Sequence, residues 1–348
     1  MRNLVSNPPN PWAHSEVEYI GEAPRAHLQV YEDATRSIVS RNDSPDLGFD
    51  FSVNPYRGCM HGCAYCYARR THEYLDFGAG SDFERKIVVK PDAAELLRRH
   101  FERPSWRGAP LAFSGVTDCY QPLEAEWRLT RACLEVCVEY RNPALIITKS
   151  PLIERDIDVL CELGRVADVG VMISVPLWDP AHARAIEPWV PAPQRRIESI
   201  RRLREAGIRT GVMVAPLIPG LGDEEMPSVL EAAAAAGATH AGTVDLRLPG
   251  SVALVFEERI REAMPTKAEG ILKRVREARG GRLNDARFGS RMMGTGPHAD
   301  ATRALFKATC RRLGLGTSGE GSVDAAACET STFERPSARR AKAQLDLF

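Results

Sequence analysis

Six times between residues 48 and 263 a short β-rich run is followed by a helical pattern, and this alternation limits the fold more than any other feature. The β-rich runs are 48–53, 111–114, 144–148, 169–175, 210–215 and 240–246. The helical patterns lie near 92–101, 129–140, 155–166, 195–206, 226–236 and 252–263. Repeated strand–helix units with right-handed crossovers imply a parallel sheet covered by helices. Six units are too few to close an eight-fold barrel, so the expected fold is α/β, a partial (β/α)6 TIM-like barrel left open.

In such a barrel the chemistry gathers at the carboxyl ends of the strands, where the loops converge. After the first strand comes Asn54-Pro55-Tyr56-Arg57-Gly58-Cys59-Met60-His61-Gly62-Cys63-Ala64-Tyr65-Cys66-Tyr67, with three cysteines spaced CxxxCxxC. A structural zinc site normally closes with four protein ligands, whereas three thiolates on a four-iron cubane leave one iron open. The spacing therefore points to a 4Fe–4S cluster on Cys59, Cys63 and Cys66. Two other readings stand beside it: a zinc knuckle completed by His61 or a distant cysteine, or three unrelated core thiols. After the second strand comes the turn-rich loop from Ser114 to Pro122, which holds Thr117, Asp118 and Cys119. Lys149 closes the third strand, where its ammonium suits a carboxylate or ribose, and Ser174 closes the fourth.

The chain has nine cysteines. Cys133 and Cys137 fall on the buried stripe of a helix with Leu129, Val136 and Tyr140, and Cys161 and Cys310 look similar, so these four read as packing residues. Cys119, in a loop expected to face the mouth, is the one with a candidate chemical role. Basic and acidic residues balance at 46 each, so any basic surface must be local. Residues 1–14 are polar and proline-rich, without a charged-then-apolar leader, and no apolar run nears the roughly 18 residues of a membrane span. The expected setting is a reducing cytoplasm, with no membrane contact.

Four divisions are expected. Residues 1–40, with Pro8, Pro9, Pro11 and Pro24, form an extended arm; 41–264 the barrel core; 265–315 a helical extension; and 316–348 a flexible tail, basic at Arg335, Arg339, Arg340 and Lys342. Within the extension a connector carries Arg282, Arg287, Phe288, Gly289, Arg291, Gly294 and Gly296, a composition suited equally to approaching phosphates and to a loop that merely covers the barrel's mouth.

The cysteine motif, with an aromatic residue before its last cysteine, resembles the radical S-adenosylmethionine enzymes. Asn42-Asp43-Ser44-Pro45, Asn54 to Cys59, Thr117-Asp118 with Tyr120-Gln121-Pro122, Thr148-Lys149-Ser150 and Arg287-Phe288-Gly289 are together similar to the bacterial PA0069-type group of that family, related to spore photoproduct lyase. The resemblance spans about residues 41–314. It implies a 4Fe–4S cluster on Cys59, Cys63 and Cys66, and S-adenosyl-L-methionine near Tyr65, Thr117, Lys149 and Ser174. An apolar turn from Ala215 to Gly220 would support the adenine.

Tyr67 matches a tyrosine that relays a hydrogen atom. The lyase carries its hydrogen-donor cysteine where this chain has Gly115 or Val116, and the nearest thiol here is Cys119, so that lyase's lesion does not carry over. The implied activity is a radical enzyme acting on a nucleic acid, with DNA favoured and a reductase, ferredoxin or flavodoxin supplying electrons. Gln344-Leu345-Asp346-Leu347-Phe348 resembles the pentapeptide by which bacterial repair proteins dock on the DNA sliding clamp. The competing class is an iron–sulfur or zinc nucleic-acid-binding module without turnover.

Overall fold

The computed structural model describes residues 4–13, 19–317 and 331–336. Eight strands make the main sheet in the order in which the chain lays them down. They are β1 (Val39–Arg41), β2 (Phe51–Val53), β3 (Leu111–Phe113), β4 (Ala144–Thr148), β5 (Val169–Ser174), β6 (Arg209–Leu217), β7 (His240–Asp245) and β8 (Gly316–Thr317). β1 is antiparallel to β2, and every later pair is parallel. β1 and β8 lie at opposite edges and do not pair, so the partial barrel is open, as the alternation predicts.

The crossovers carry α1 (Ala93–Phe101), α2 (Leu129–Tyr140), α3 (Ile157–Val166), α4 (Pro193–Glu205) and α5 (Gly222–Ala235). α6 (Ser251–Ala263), α7 (Pro265–Ala278) and α8 (Pro297–Leu313) follow β7. The alternation of side chains along a strand separates two apolar layers. Ile146, Val171 and Val212 pack outward with Leu134, Cys137 and Leu160 of the helices, while Leu145, Met172 and Met213 from three adjacent strands fill the inside. Each such side chain, fully buried, contributes roughly 1.5–3 kcal/mol. Cys133, Cys137 and Cys310 are wholly buried in the outer layer, in keeping with a packing role.

Two boundaries differ from expectation. The arm is not merely extended: Gln29–Glu32 pairs in parallel with Lys86–Val89, which pairs antiparallel with Tyr56–Arg57, making a second, three-stranded sheet. The β-branched run Ile87-Val88-Val89 sits in the long connection after the cysteines and drives this pairing, because all three side chains are buried. β1 also begins before residue 41, so the core reaches back into the arm. At the other end, Gly316–Thr317 is a sheet strand rather than the start of a tail, and residues 331–336 lie against α1 and α2 through Phe333. Arg339, Arg340, Lys342 and the segment Gln344 to Phe348 lie outside the described residues. Among the described residues no helix is long and apolar enough to cross a membrane.

Candidate active site at the carboxyl ends of the strands

The strand Tyr56–Arg57 delivers the cysteine loop to the barrel mouth. Gly58 has φ +77°, and a Cβ there would stand 2.9 Å from the His72 ring and 3.0 Å from the Phe83 carbonyl oxygen, so glycine is required. Its carbonyl accepts hydrogen bonds from Thr117 Oγ1 (3.1 Å) and Gln121 Nε2 (3.2 Å), while Met60 donates its amide to Gln121 Oε1 (3.1 Å). The loop after β3 thus grips the first half of the cysteine loop. Arg69, fully enclosed, grips the second half: it donates to the carbonyls of Cys63 (2.9 Å) and Gly62 (2.8 Å) and pairs with Glu84.

Cys59 and Cys63 are buried, Cys66 is half-buried, and all three are free thiols. Burial, then Glu187, pushes the Cys63 thiol well up, with Lys149 opposing; burial and Cys59 raise Cys66 against Arg69 and Lys149. Such thiols ionise when they ligate a metal, and the soft three-sulfur donor set fits a four-iron cluster. Among the described residues no group of three or more His, Cys, Asp or Glu is arranged to hold a single metal ion. His61 is buried and turns Nδ1 toward Asp118 Oδ2 at 3.4 Å. Burial opposes its charge, but Cys59 and Asp118 outweigh burial and bring its pKa to about 10.

Asp118 is the junction between loops. It accepts from Thr148 Oγ1 (2.6 Å) and the Lys149 amide (2.8 Å), which fixes the end of β4. Around Tyr65 a second network forms. The Tyr65 hydroxyl donates to Glu187, Glu187 pairs with Arg196 at 2.7 Å, and Arg196 donates to the Ser174 carbonyl at 2.8 Å. Lys149 Nζ lies 5.8 Å from the Tyr65 ring centre. Tyr65, Lys149 and Ser174 are therefore brought to one place by β4, β5 and the cysteine loop, while Thr117 is held at the Gly58 carbonyl, before the first cysteine. Tyr67 spans the mouth, donating its hydroxyl to the Gly115 carbonyl at 2.6 Å, and Asn54 holds the same loop through the Val116 amide (2.8 Å).

Cys119 departs from expectation. It is 1% exposed and belongs to the outer apolar layer, with its carbonyl accepting from Thr130 Oγ1 (2.6 Å) and burial pushing its thiol well up. The loop does run along the mouth, but the Asp118 contacts to β4 leave the next side chain pointing into the core. Asn54, Asp118 and Gln121 were visible in the sequence as polar residues after strands, without their loop-holding part. Arg69, Glu187 and Arg196 gave no signal, because buried charge pairs look like surface charges until the fold joins them.

Residues 53–233, just over half of the chain, match the Radical SAM superfamily. An uncharacterised protein of Mycobacterium tuberculosis is 41% identical over 207 residues, covering 59% of this chain and 61% of that one. The Radical SAM Nα-GlyT isomerase of Pseudomonas phage M6 is 27% identical over 213 residues, covering 60% of this chain and 42% of its own. The chain thus spans about three fifths of the length of the mycobacterial relatives it matches. Among solved structures, a spore photoproduct lyase variant with bound AdoMet and dinucleoside spore photoproduct superposes with a TM-score of 0.56 at 15% identity, covering 88% of each chain. At that identity the likeness shows the fold. Proteins of this type use a 4Fe–4S cluster and S-adenosyl-L-methionine, and the match over residues 53–233 shows that the chain belongs to the Radical SAM superfamily.

Proposed function

We propose that this chain reductively cleaves S-adenosylmethionine and uses the 5′-deoxyadenosyl radical to abstract hydrogen from a nucleic acid, with DNA favoured, in lesion repair or base modification. The observation that carries the reading is the cysteine loop itself, pinned at the carboxyl ends of the strands by Thr117, Gln121 and Arg69. Cys59, Cys63 and Cys66 would hold the cluster, which when bound supplies the electron that splits the cofactor. Tyr65, Thr117, Lys149 and Ser174 would orient S-adenosylmethionine, with the Glu187–Arg196 pair keeping Tyr65 in place. The buried Asp118 and His61 keep the loops closed against water. Of the two residues proposed for hydrogen transfer, Tyr67 is 45% exposed at the mouth and Cys119 is enclosed, which favours Tyr67.

The PA0069-type resemblance and the fold shared with a spore photoproduct lyase solved with a dinucleoside spore photoproduct support a nucleic-acid substrate. The absence of a cysteine at Gly115 and Val116 supports a lesion or base other than spore photoproduct. A cytoplasmic reductase, ferredoxin or flavodoxin would supply electrons. Anaerobic reconstitution with a chemical reductant is the test: methionine and 5′-deoxyadenosine should form in equal amounts, and an intact cluster that yields neither would sink the reading.

The segment Gln344 to Phe348 is proposed to dock on the DNA sliding clamp, with Leu347 and Phe348 as its two apolar anchors. A labelled tail peptide should bind purified clamp in about the micromolar range and lose binding on Leu347→Ala or Phe348→Ala; no binding at tens of micromolar removes the clamp as partner.

A further inference from the structure

Arg247 follows β7, between Leu246 and Leu248. Both leucines are buried in the apolar cluster beneath α6 and α7, so Arg247 faces the opposite way, toward the mouth. Its guanidinium carbon lies 5.1 Å from the Tyr67 ring centre. Each tyrosine flanking Cys66 therefore carries one cation from a different strand end: Lys149 on Tyr65, Arg247 on Tyr67. Tyr65 is 7% exposed and Tyr67 45%, which makes Lys149 the inner cation and Arg247 the outer one.

The neighbouring arginines of this rim are committed. Arg291 pairs with Asp46 at 2.5 Å and also donates to Ser44, and Arg287 pairs with Asp285 at 2.9 Å. Arg247 has no carboxylate within ion-pair distance among the described residues. Burial makes its charge costly and lowers its pKa, Arg291 lowers it further, and Tyr67 and Asp46 offset only part of this. A half-buried guanidinium in this state gains more from an incoming anion than one already paired.

We propose that Arg247 is a phosphate anchor at the outer mouth, gripping the backbone of the nucleic acid that delivers the reacting nucleotide. The anchor rests on the nucleic-acid substrate proposed for the same site. Stacking on Tyr67 fixes the plane of the guanidinium and leaves its donor fork for two phosphate oxygens. An anion held there stays within one side chain of the residue that follows Cys66. A phosphate is favoured over a lone carboxylate because the same rim exposes Phe288 (60%), with Arg291 stacked 4.3 Å from its ring centre. Arg291 also lies near enough to Arg247 to repel its charge, so this exposed aromatic offers a base a stacking face close to the phosphate anchor.

The experiment uses the full-length, cluster-loaded protein under anaerobic conditions. Fluorescence anisotropy of labelled single-stranded and duplex DNA is followed across a salt series, and S-adenosylmethionine binding is measured separately by equilibrium dialysis. Arg247→Gln should weaken DNA binding about tenfold and lower the salt slope by about one, while cofactor affinity and cluster absorbance stay unchanged. Arg247→Lys should keep the slope and recover part of the affinity. Unchanged DNA affinity and slope in Arg247→Gln, with the wild-type protein binding DNA, overturns the anchor and leaves the nucleic-acid reading standing. A loss of cofactor affinity in place of DNA affinity assigns Arg247 to the cofactor and also overturns the proposal. Wild-type protein that binds neither form of DNA overturns the DNA reading and the anchor with it.

Discussion

Asp118 fixes β4 through the Thr148 hydroxyl and the Lys149 amide, and reaches the cysteine loop through His61, so one carboxylate sets the spacing of three loops. Burial alone would raise its pKa, but His61 and these hydrogen bonds outweigh burial and hold it at about 2, against an ordinary 3.8. A carboxyl depressed on folding stabilises the protein above about pH 4, and the contribution is lost as the pH falls from there through about 2. The shift corresponds to roughly 2–3 kcal/mol. Asp118→Asn is therefore expected to lower the urea unfolding free energy of the cluster-free protein by about that much at pH 7, and by progressively less below pH 4. A deficit independent of pH would mean that the charge is not the source. The cysteines offer a separate check at the same scale. Alanine at Cys59, Cys63 or Cys66 should remove reconstituted iron and the cluster's visible absorbance, whereas alanine at Cys133 or Cys137 should leave both and cost only core packing.

Among the elements, α4 presents the sharpest case of a charge used inside the fold. Arg196 is fully buried there, paired with Glu187 and donating to the end of β5, and Glu187 in turn holds Tyr65. Removing one partner of a buried pair leaves an uncompensated charge, at a cost of about 3–5 kcal/mol, while replacing both is far milder. Arg196→Leu should therefore shift the denaturation midpoint strongly, and adding Glu187→Gln should restore most of it. Both variants should lose S-adenosylmethionine affinity through Tyr65, and a double variant as unstable as the single one would refute the pairing argument. The position of α4 was legible in the sequence, because Ile197, Ile200 and Leu203 repeat at helical spacing. Arg196 was not, since it stands in a polar stretch with Gln194 and Arg195 and its partner belongs to another element. The Lys86–Val89 strand was hidden for a similar reason: four residues in a long connection gain partners only when the fold brings Gln29–Glu32 and Tyr56–Arg57 to either side of them.

At the scale of the molecule, the sheet is wound in chain order and left open, with β1 and β8 at opposite edges and not paired with each other. The six internal strands were readable because each had to bury an apolar run, and the cysteine loop because its spacing is chemical rather than structural. The chain beyond β8 was not readable, since its composition lacks an apolar core of its own. Residues 331–336 nevertheless return to the first half of the barrel. Phe333 stacks on Tyr140 with ring centres 6.2 Å apart and meets Phe101 edge-on at 5.7 Å. Arg335 donates to the carbonyls of Phe101 (3.1 Å), the last residue of α1, and Arg103 (2.7 Å), just past its end. Gly108, at φ +77°, admits this contact, because a Cβ there would stand 2.0 Å from Phe333 Cβ. Ser331 and Thr332 donate to the carbonyls of Gly108 (3.0 Å) and Arg141 (2.8 Å), which lie three residues before β3 and β4 respectively, so the segment docks at the amino ends of the strands, opposite the cysteine loop. Phe333 is only half-buried, which puts Phe333→Ala below the cost of a full core truncation, at about 1–3 kcal/mol. Gly108→Ala should cost at least as much, since it adds backbone strain to the same lost contact. Urea unfolding of the cluster-loaded protein reads both, with the visible absorbance of the folded state unchanged. If neither variant moves the midpoint, the return of the chain contributes nothing to stability. If both also abolish the cluster, the two ends of the barrel are coupled more tightly than these contacts explain.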